Sequence, residues 1–197
     1  MSIFIKICGL RDEESVAAAV AAGADAIGFV FAESVRRISP EQARLIAQAL
    51  PENVQRVAVM RHPSSVEWQH VLDVFAPDVV QTDVDDFDKI EVPAHIQCWP
   101  VIREGDVASG ESPDVFVYEG QVSGAGETVD WSLAAGMAGG GRMILAGGLT
   151  PDNVTAAIAT ARPWGVDVSS GVESQRGQKD IELIRQFIGA VRAAEKN

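Results

Sequence analysis

Cysteine is scarce in this sequence, and long hydrophobic runs are missing. The 197 residues include two cysteines, Cys8 and Cys98, too few for a disulfide framework in a chain of this length. No apolar stretch approaches the ~18 residues of a membrane span. The first residues also lack the basic region and apolar core of a signal peptide. We therefore expect a cytoplasmic protein with no membrane partner.

Positive charge is in short supply as well. Sixteen basic residues against 28 acidic ones give a net charge of −12. Such a field repels phosphate-rich polymers, which argues against a nucleic-acid partner. A small anionic substrate is still compatible with this charge if backbone amides and one or two arginines form a local positive site.

Metal-ligand patterns are also missing. The chain contains no Cys-x-x-Cys and no histidine pair with ligand spacing. The acidic run at residues 83–88 lacks the pattern and the glycine of a calcium-binding EF-hand loop, so we interpret it as a solvated turn. We expect neither a metal nor an organic cofactor.

Short apolar runs alternate with helical patterns along the whole chain. Six helices are indicated, at 12–22, from Ser39-Pro40 onward, at 64–75, at 130–137, from Thr150-Pro151 onward and at 180–194; the intervals 83–91 and 103–110 have room for one turn each. Eight strands are predicted, at 3–8, 25–31, 54–60, 78–82, 93–102, 114–119, 143–146 and 164–169.

Alternation of this kind implies a parallel sheet, and eight strands favour closure into a single (β/α)₈ barrel with some abbreviated helices. A doubly wound open sheet is the alternative. With 197 residues and 47% hydrophobic content, the chain can form one sizeable core but has no room for a second domain. We expect residues 1–197 to be one catalytic domain.

The active site of a parallel barrel lies at the carboxyl ends of its strands. Two adjacent strand ends carry glycine-rich or hydroxyl-rich segments, Gly147-Gly148 and Ser169-Ser170-Gly171. Glycine lets a backbone approach a ligand closely, and the loops after strands seven and eight often bind phosphate in barrels. These segments predict a phosphate site.

Cys8 ends the first strand and precedes a glycine at the same rim, whereas Cys98 lies within a strand and is expected to be a core residue. No histidine is placed to act with Cys8, which argues against a Cys-His nucleophilic pair. A cysteine acting alone as a base is the sharper hypothesis, although a buried cysteine remains the ordinary interpretation.

Several motifs, in order along the chain, resemble those of the phosphoribosylanthranilate isomerase family of tryptophan biosynthesis. They are Lys6-Ile7-Cys8-Gly9-Leu10, Gly28-Phe29-Val30-Phe31, Ser34-Val35-Arg36-Arg37-Ile38-Ser39-Pro40, the glycine-rich segment 124–131, Ala146-Gly147-Gly148-Leu149-Thr150-Pro151-Asp152-Asn153-Val154, Val166-Asp167-Val168-Ser169-Ser170-Gly171-Val172-Glu173 and Gly177-Gln178-Lys179-Asp180.

The resemblance implies an Amadori rearrangement of a small phosphorylated substrate, N-(5-phosphoribosyl)anthranilate, by general acid–base catalysis. It assigns the base to Cys8, the anthranilate carboxylate to Arg36 and the sugar hydroxyls to Asp167. Gly147, Gly148, Ser169, Ser170 and Gly171 would hold the phosphate.

Two positions depart from the family pattern. The general acid, usually an aspartate, falls on Glu119, one methylene longer, and Asp83 stands where the family commonly has a histidine. These departures motivate one alternative, a non-catalytic phosphate-binding barrel. A neighbouring phosphoribosyl-barrel enzyme is another, although Cys8 occupies the place of the first aspartate of the histidine-pathway isomerase. The oligomeric state is not fixed by the sequence, and a monomer is slightly favoured.

Overall fold

The computed structural model describes residues 2–106, 113–121 and 128–195. Eight parallel strands follow one another in chain order and close into a barrel, with β1 paired to both β2 and β8. The predicted barrel is therefore confirmed, and the open-sheet alternative is wrong. The strands are β1 Phe4–Cys8, β2 Ala26–Val30, β3 Gln55–Val59, β4 Val79–Asp83, β5 Gln97–Arg103, β6 Val115–Glu119, β7 Arg142–Leu145 and β8 Gly165–Val168.

Six α-helices are described, as the sequence indicated, and side chains cap the starts of five of them. The remaining helix begins at Val154, after the predicted Thr150-Pro151, and Asn153 before it makes no side-chain cap bond. The six helices are α1 Glu13–Ala22, α2 Pro40–Ala47, α3 Ser65–Phe75, α4 Trp131–Met137, α5 Val154–Ala161 and α6 Ile181–Ala194. Ser39 forms a capping box with Gln42, and Pro40 is the first helical residue. Asp130 and Asp180 accept backbone N–H groups at the starts of α4 and α6.

The connection between β4 and β5 is abbreviated. A single 3₁₀ turn, Val84–Asp86, is the only helical element between β4 and β5, where every residue is described. After β5 the chain turns at once, with Asp106 N–H donating to the carbonyl of Arg103. The rest of that predicted turn, residues 107–110, lies outside the described residues, as does the glycine-rich segment at 122–127.

The final connection contains elements that the sequence did not predict. A 3₁₀ turn, Ser170–Val172, follows β8 and leads into a small antiparallel hairpin of β9, Glu173–Gln175, and β10, Gln178–Lys179. The hairpin folds back over the rim of the barrel and supplies charged side chains to it.

Aromatic rings close the amino-terminal end of the barrel. Phe4 stacks on Trp164 with ring centroids 4.6 Å apart and meets Trp99 edge-on at 5.7 Å. Small and β-branched residues from several strands fill the interior above them, among them Val57, Val79, Val117 and Ile144. Because one end is packed, the open cavity lies at the carboxyl ends of the strands.

The prediction that Cys98 is a core residue is wrong, because its side chain is exposed. Trp99, its neighbour on β5, faces the barrel interior, so Cys98 faces outward. The connection before β5 has a 3₁₀ turn where a covering α-helix would normally pack. In the described part of the chain, no helix is long and apolar enough to cross a membrane.

Candidate active site

A cavity of about 240 Å³ opens at the carboxyl ends of the strands. Its lining residues come from both sides of the barrel, and they include nearly every residue that the sequence singled out: Cys8, Arg36, Asp83, Glu119, Gly147, Gly148, Asp167, Ser169 and Ser170. Gly171 lies directly behind this lining, in the 3₁₀ turn after Ser169. The structure thus brings the predicted residues together.

Cys8 lies at the floor of the cavity with 7% of its surface exposed. Burial raises the pKa of the thiol, while the nearby cations Lys6 and Lys179 act in the opposite direction without cancelling that rise. In the resting enzyme the cysteine is therefore mainly a thiol. A base role requires its proton to leave before the reaction.

Lys6 is a site residue that the sequence reasoning missed, having treated it as an ordinary strand residue. It is fully buried, and its Nζ donates to Asp167 Oδ2 at 2.8 Å. Lys6 and Cys8 are two residues apart on β1 and so face the same side of the strand. The available signal was a lysine in the middle of an apolar, β-branched run.

Asp167 lines the cavity from β8, as its predicted contact with sugar hydroxyls requires. Its Oδ2 is bonded to Lys6, whereas its Oδ1 is buried without a hydrogen-bond partner in the described part of the chain. A buried carboxylate oxygen without a partner costs free energy. This oxygen can accept a hydrogen bond from a ligand hydroxyl.

Arg36 also lines the cavity, but its guanidinium is already engaged. Its Nε and Nη2 donate to the two carboxylate oxygens of Glu173 on β9, at 2.6 and 2.9 Å. This bidentate bond fixes the plane of the guanidinium and leaves the two N–H groups of Nη1 and the second N–H of Nη2 as further donors. The predicted contact with a substrate carboxylate therefore needs one of these N–H groups or a shared hydrogen bond.

Glu173 organises the hairpin side of the site. Besides Arg36, it accepts hydrogen bonds from the backbone N–H of Gly177 and from Lys179 Nζ, both at 2.9 Å. Lys179 Nζ donates further to the backbone carbonyl of Ser169 at 2.7 Å. The network thus links the hairpin to the loop at Ser169, a role that the sequence reasoning did not assign to Glu173 or Lys179.

The predicted phosphate segments meet closely. Gly147 and Gly148 have φ angles of 91° and 60°, in the region that favours glycine. A Cβ atom at Gly171 would lie 1.8 Å from the carbonyl oxygen of Leu149, so only glycine allows the two loops to pack together. Backbone groups of both loops consequently surround one corner of the cavity.

Arg103 joins the two positions that depart from the family pattern. From the end of β5 it bonds Asp83 Oδ1 at 2.6 Å and Glu119 Oε1 at 3.2 Å. Asp83 and Glu119 end the strands on either side of β5, and all three residues line the cavity. The acidic residue at position 83 is thus explained by its ion pair with Arg103 at the same rim of the barrel.

The interpretation of residues 83–88 as a solvated turn is wrong for Asp86. Its side chain is fully buried and accepts hydrogen bonds from Thr82 Oγ1 and His62 N, each at 2.7 Å, and from Lys89 Nζ at 3.0 Å. His62, Asp83 and Asp86 have ligand atoms close enough together for an ion. The bonds to Asp86 show instead that it anchors the 3₁₀ turn.

The comparisons with known proteins agree closely with one another. The family model described as N-(5′-phosphoribosyl)anthranilate (PRA) isomerase matches residues 5–190. Proteins named N-(5′-phosphoribosyl)anthranilate isomerase from Streptococcus mutans and Streptococcus pneumoniae (strain Hungary19A-6) are 39% and 41% identical, over 193 and 191 residues. Each alignment covers 95% of this chain, and 98% and 95% of the respective relative.

Solved structures give the same result. Phosphoribosyl anthranilate isomerase from Thermus thermophilus superposes with a TM-score of 0.84 at 31% identity, over 97% of this chain and 99% of that one. A complex of phosphoribosyl anthranilate isomerase with reduced 1-(o-carboxyphenylamino)-1-deoxyribulose 5-phosphate has a TM-score of 0.79 at 32% identity, with the same coverage.

The Glu173 network generates a prediction about stability. Burial raises the pKa of Glu173, but the bonds from Arg36, Gly177 and Lys179 outweigh burial and lower it from 4.5 to about 2. Because the folded pKa is the lower one, the charged carboxylate stabilises the fold above pH 4.5, and this contribution is lost as the pH falls toward 2.

Glu173→Gln should therefore lower the free energy of unfolding near neutral pH by about 3 kcal/mol and flatten its decline in acid. Urea unfolding at a series of pH values measures both effects. Glu182→Gln, at an exposed glutamate of α6, is the matched control. Equal stability curves for the two variants would contradict the assigned role of Glu173.

Proposed function

The chain belongs to the N-(5′-phosphoribosyl)anthranilate isomerase family, and we propose that its cavity performs the isomerisation with Cys8 as general base and Glu119 as general acid. The enzyme converts N-(5-phosphoribosyl)anthranilate to 1-(2-carboxyphenylamino)-1-deoxyribulose 5-phosphate in tryptophan biosynthesis. The observation that carries the residue assignment is the placement of Cys8, on β1, and Glu119, on β6, along one cavity beside the two phosphate loops.

The proposed reaction begins with proton delivery. Glu119 protonates the ring oxygen of the ribose, and the C1′–O bond breaks to give an open-chain Schiff base. The Cys8 thiolate then removes the proton from C2′, and the electron pair of that bond forms the enol. The enol relaxes to the ketone, so the product has the composition of the substrate.

Arg103 bears directly on the acid role. A guanidinium bonded to a carboxyl group favours its charged form, which opposes proton delivery by Glu119. Asp83 holds the same guanidinium at the shorter distance, 2.6 against 3.2 Å. In our proposal Asp83 draws Arg103 away from Glu119 during the reaction, which leaves the acid its proton.

The phosphate is proposed to bind at the backbone N–H groups of Gly147, Gly148, Ser169, Ser170 and Gly171, with the Ser170 hydroxyl as a further donor. The cations Arg36 and Lys179 lie behind these loops. They supply local positive potential in a chain whose net charge is −12. Asp167 Oδ1, buried and without a partner in the described residues, is proposed to accept a sugar hydroxyl.

A monomeric, cytoplasmic enzyme with residues 1–197 as one catalytic domain completes the proposal. The exposed large apolar side chains, Val35, Leu45, Val66, Val84 and Leu133, lie on five separate segments. The solved relatives include a dimeric enzyme and monomers generated from it.

Cys8→Ser tests the base. Turnover should fall by about 10²–10⁴, the range for loss of a positioned base, while product binding and folding are retained. The measurement is the rate of substrate conversion together with titration of the product. Cys98→Ser, at the exposed cysteine outside the cavity, should keep full turnover. Near-normal turnover of Cys8→Ser would rule out the assignment.

Gly171→Ala tests the phosphate site. The added methyl group would force the two loops apart, so KM should rise by at least about tenfold, equivalent to roughly 1.4 kcal/mol of binding. Gly189→Ala, where a Cβ meets no other atom within 4 Å, is the control. Steady-state kinetics gives the KM of both variants. A liganded crystal structure with the phosphate on Arg61 and Arg103 would refute the assignment.

Glu119 is tested by two substitutions of different chemistry. Glu119→Gln should abolish most turnover, because an amide has no proton to deliver, whereas Glu119→Asp should retain part of it. Asp130→Asn is the comparison variant, since Asp130 caps α4. Normal turnover of Glu119→Gln with loss in Asp130→Asn would transfer the acid role to Asp130. Glu127, the other competitor, lies outside the described residues.

A further inference from the structure

Lys6 is a fully buried charge that the proposed reaction does not use directly. Its ion pair with Asp167 satisfies the charge, but stability alone is a weak reason for such a pair. Apolar side chains of similar volume often stabilise a fold as well or better, because removing two ions from water is expensive. The location of the pair, beneath the cysteine of the active site, points to a functional role.

The space between β1 and β2 brings the lysine to the cysteine. Cys8 is in register with Gly28 of β2, where a Cβ atom would lie 3.0 Å from Cys8 Sγ and 3.1 Å from Lys6 Cε. The sulfur and the end of the lysine chain therefore share the gap that the glycine leaves. An ammonium placed in this gap is within reach of the thiol by a hydrogen bond or a direct charge interaction.

The charges around Cys8 are unbalanced. In the described part of the chain, Lys6 on β1, Arg36 after β2 and Lys179 on β10 interact electrostatically with the thiol, and Asp167 on β8 opposes them. Glu173 neutralises only one of the two outer cations, since both Arg36 and Lys179 bond to it. One positive charge is left unmatched, and a thiolate at Cys8 would balance it.

We propose that Lys6 is a positioning residue that serves as the counter-ion of the Cys8 thiolate. The inference rests on the proposed function, in which Cys8 is the base. The thiol releases its proton to water, and the resulting thiolate takes the proton from C2′, with the electron pair of that bond passing into the enol. Lys6 keeps all three of its protons throughout, because Asp167 holds it 2.8 Å away as an ammonium.

Lys6 is not itself a competing base. Burial lowers its pKa, but the charges of Asp167 and Cys8 outweigh burial and raise it above 10.5. An amine that stays protonated cannot accept the C2′ proton. Its contribution is to stabilise the negative charge on sulfur in a place where few waters can do so.

Ionisation of the Cys8 thiol in the substrate-free enzyme tests the inference directly. A Cys98→Ser background leaves Cys8 as the single thiol, followed by thiolate absorbance and by the rate of iodoacetamide alkylation against pH. Lys6→Met keeps the length of the side chain without its charge and should raise the thiol pKa by a unit or more. The thiolate fraction and turnover near neutral pH should then fall about tenfold or more, with recovery as the pH rises.

Asp167→Asn is the matched control, because it should change the pKa of the Cys8 thiol in the opposite direction. It removes the carboxylate that raises the pKa of the thiol and leaves the ammonium in place, so the thiol should ionise at lower pH. Loss of folding in Lys6→Met is addressed by the double variant Lys6→Met/Asp167→Asn, which removes the pair as a unit. Because Lys6 acts more strongly than Asp167 on the thiol, the double variant should also raise its pKa.

Unchanged thiol ionisation in the folded lysine variants would overturn the inference, whatever their turnover. The base assignment is tested independently by Cys8→Ser. If Cys8→Ser kept full turnover while Lys6→Met still shifted the thiol titration, the catalytic use of the charge contact would be overturned along with the base. The inference is supported if Lys6→Met shifts the thiol titration and the pH profile of kcat by similar amounts, with little change in KM.

Discussion

The ion pair between Lys6 and Asp167 lies at the seam where the barrel closes. The two residues are directly in register between β1 and β8, so the pair depends on closure of the sheet. Burying two charges is favourable only when they are well bonded, and here the bond fixes the first and last strands to each other. Cys8 and Ser169 lie just above this pair, and Ser169 Oγ donates to the carbonyl of Cys8 at 3.1 Å. Cys8, the proposed base, and the loop at Ser169, the proposed phosphate site, are therefore both held in place by this ion pair and the hydrogen bond above it.

The hairpin extends this support to the outer rim. Glu173 holds Arg36 and Lys179 together, and Lys179 reaches back to the carbonyl of Ser169. An acidic protein thereby maintains two cations beside the proposed phosphate site, and salt screens the potential of more distant exposed charges. The net charge of −12 is a sum over the whole chain and does not describe this small region.

The opposite rim follows a different design. Arg103 stands between Asp83 and Glu119, so the two departures from the family pattern belong to one cluster. A short connection accompanies it: the chain passes from β4 to β5 with a 3₁₀ turn anchored by the buried Asp86. On this side of the barrel the fully described connection between β4 and β5 contains no α-helix, which shortens the chain to 197 residues. The exposure of Cys98 is one consequence.

The sequence by itself determined the alternation of strands and helices, the helix starts near Ser39-Pro40, Asp130 and Asp180, and the strand ends that carry Cys8, Gly147-Gly148 and Ser169-Ser170-Gly171. These features are local, because they depend on residue type and on spacing along a few turns. Only the tertiary structure decided the partners of Lys6, Arg36 and Arg103. Closure of the barrel joins residues 161 positions apart in the case of Lys6 and Asp167, and no local pattern specifies which buried charges will meet across such a distance.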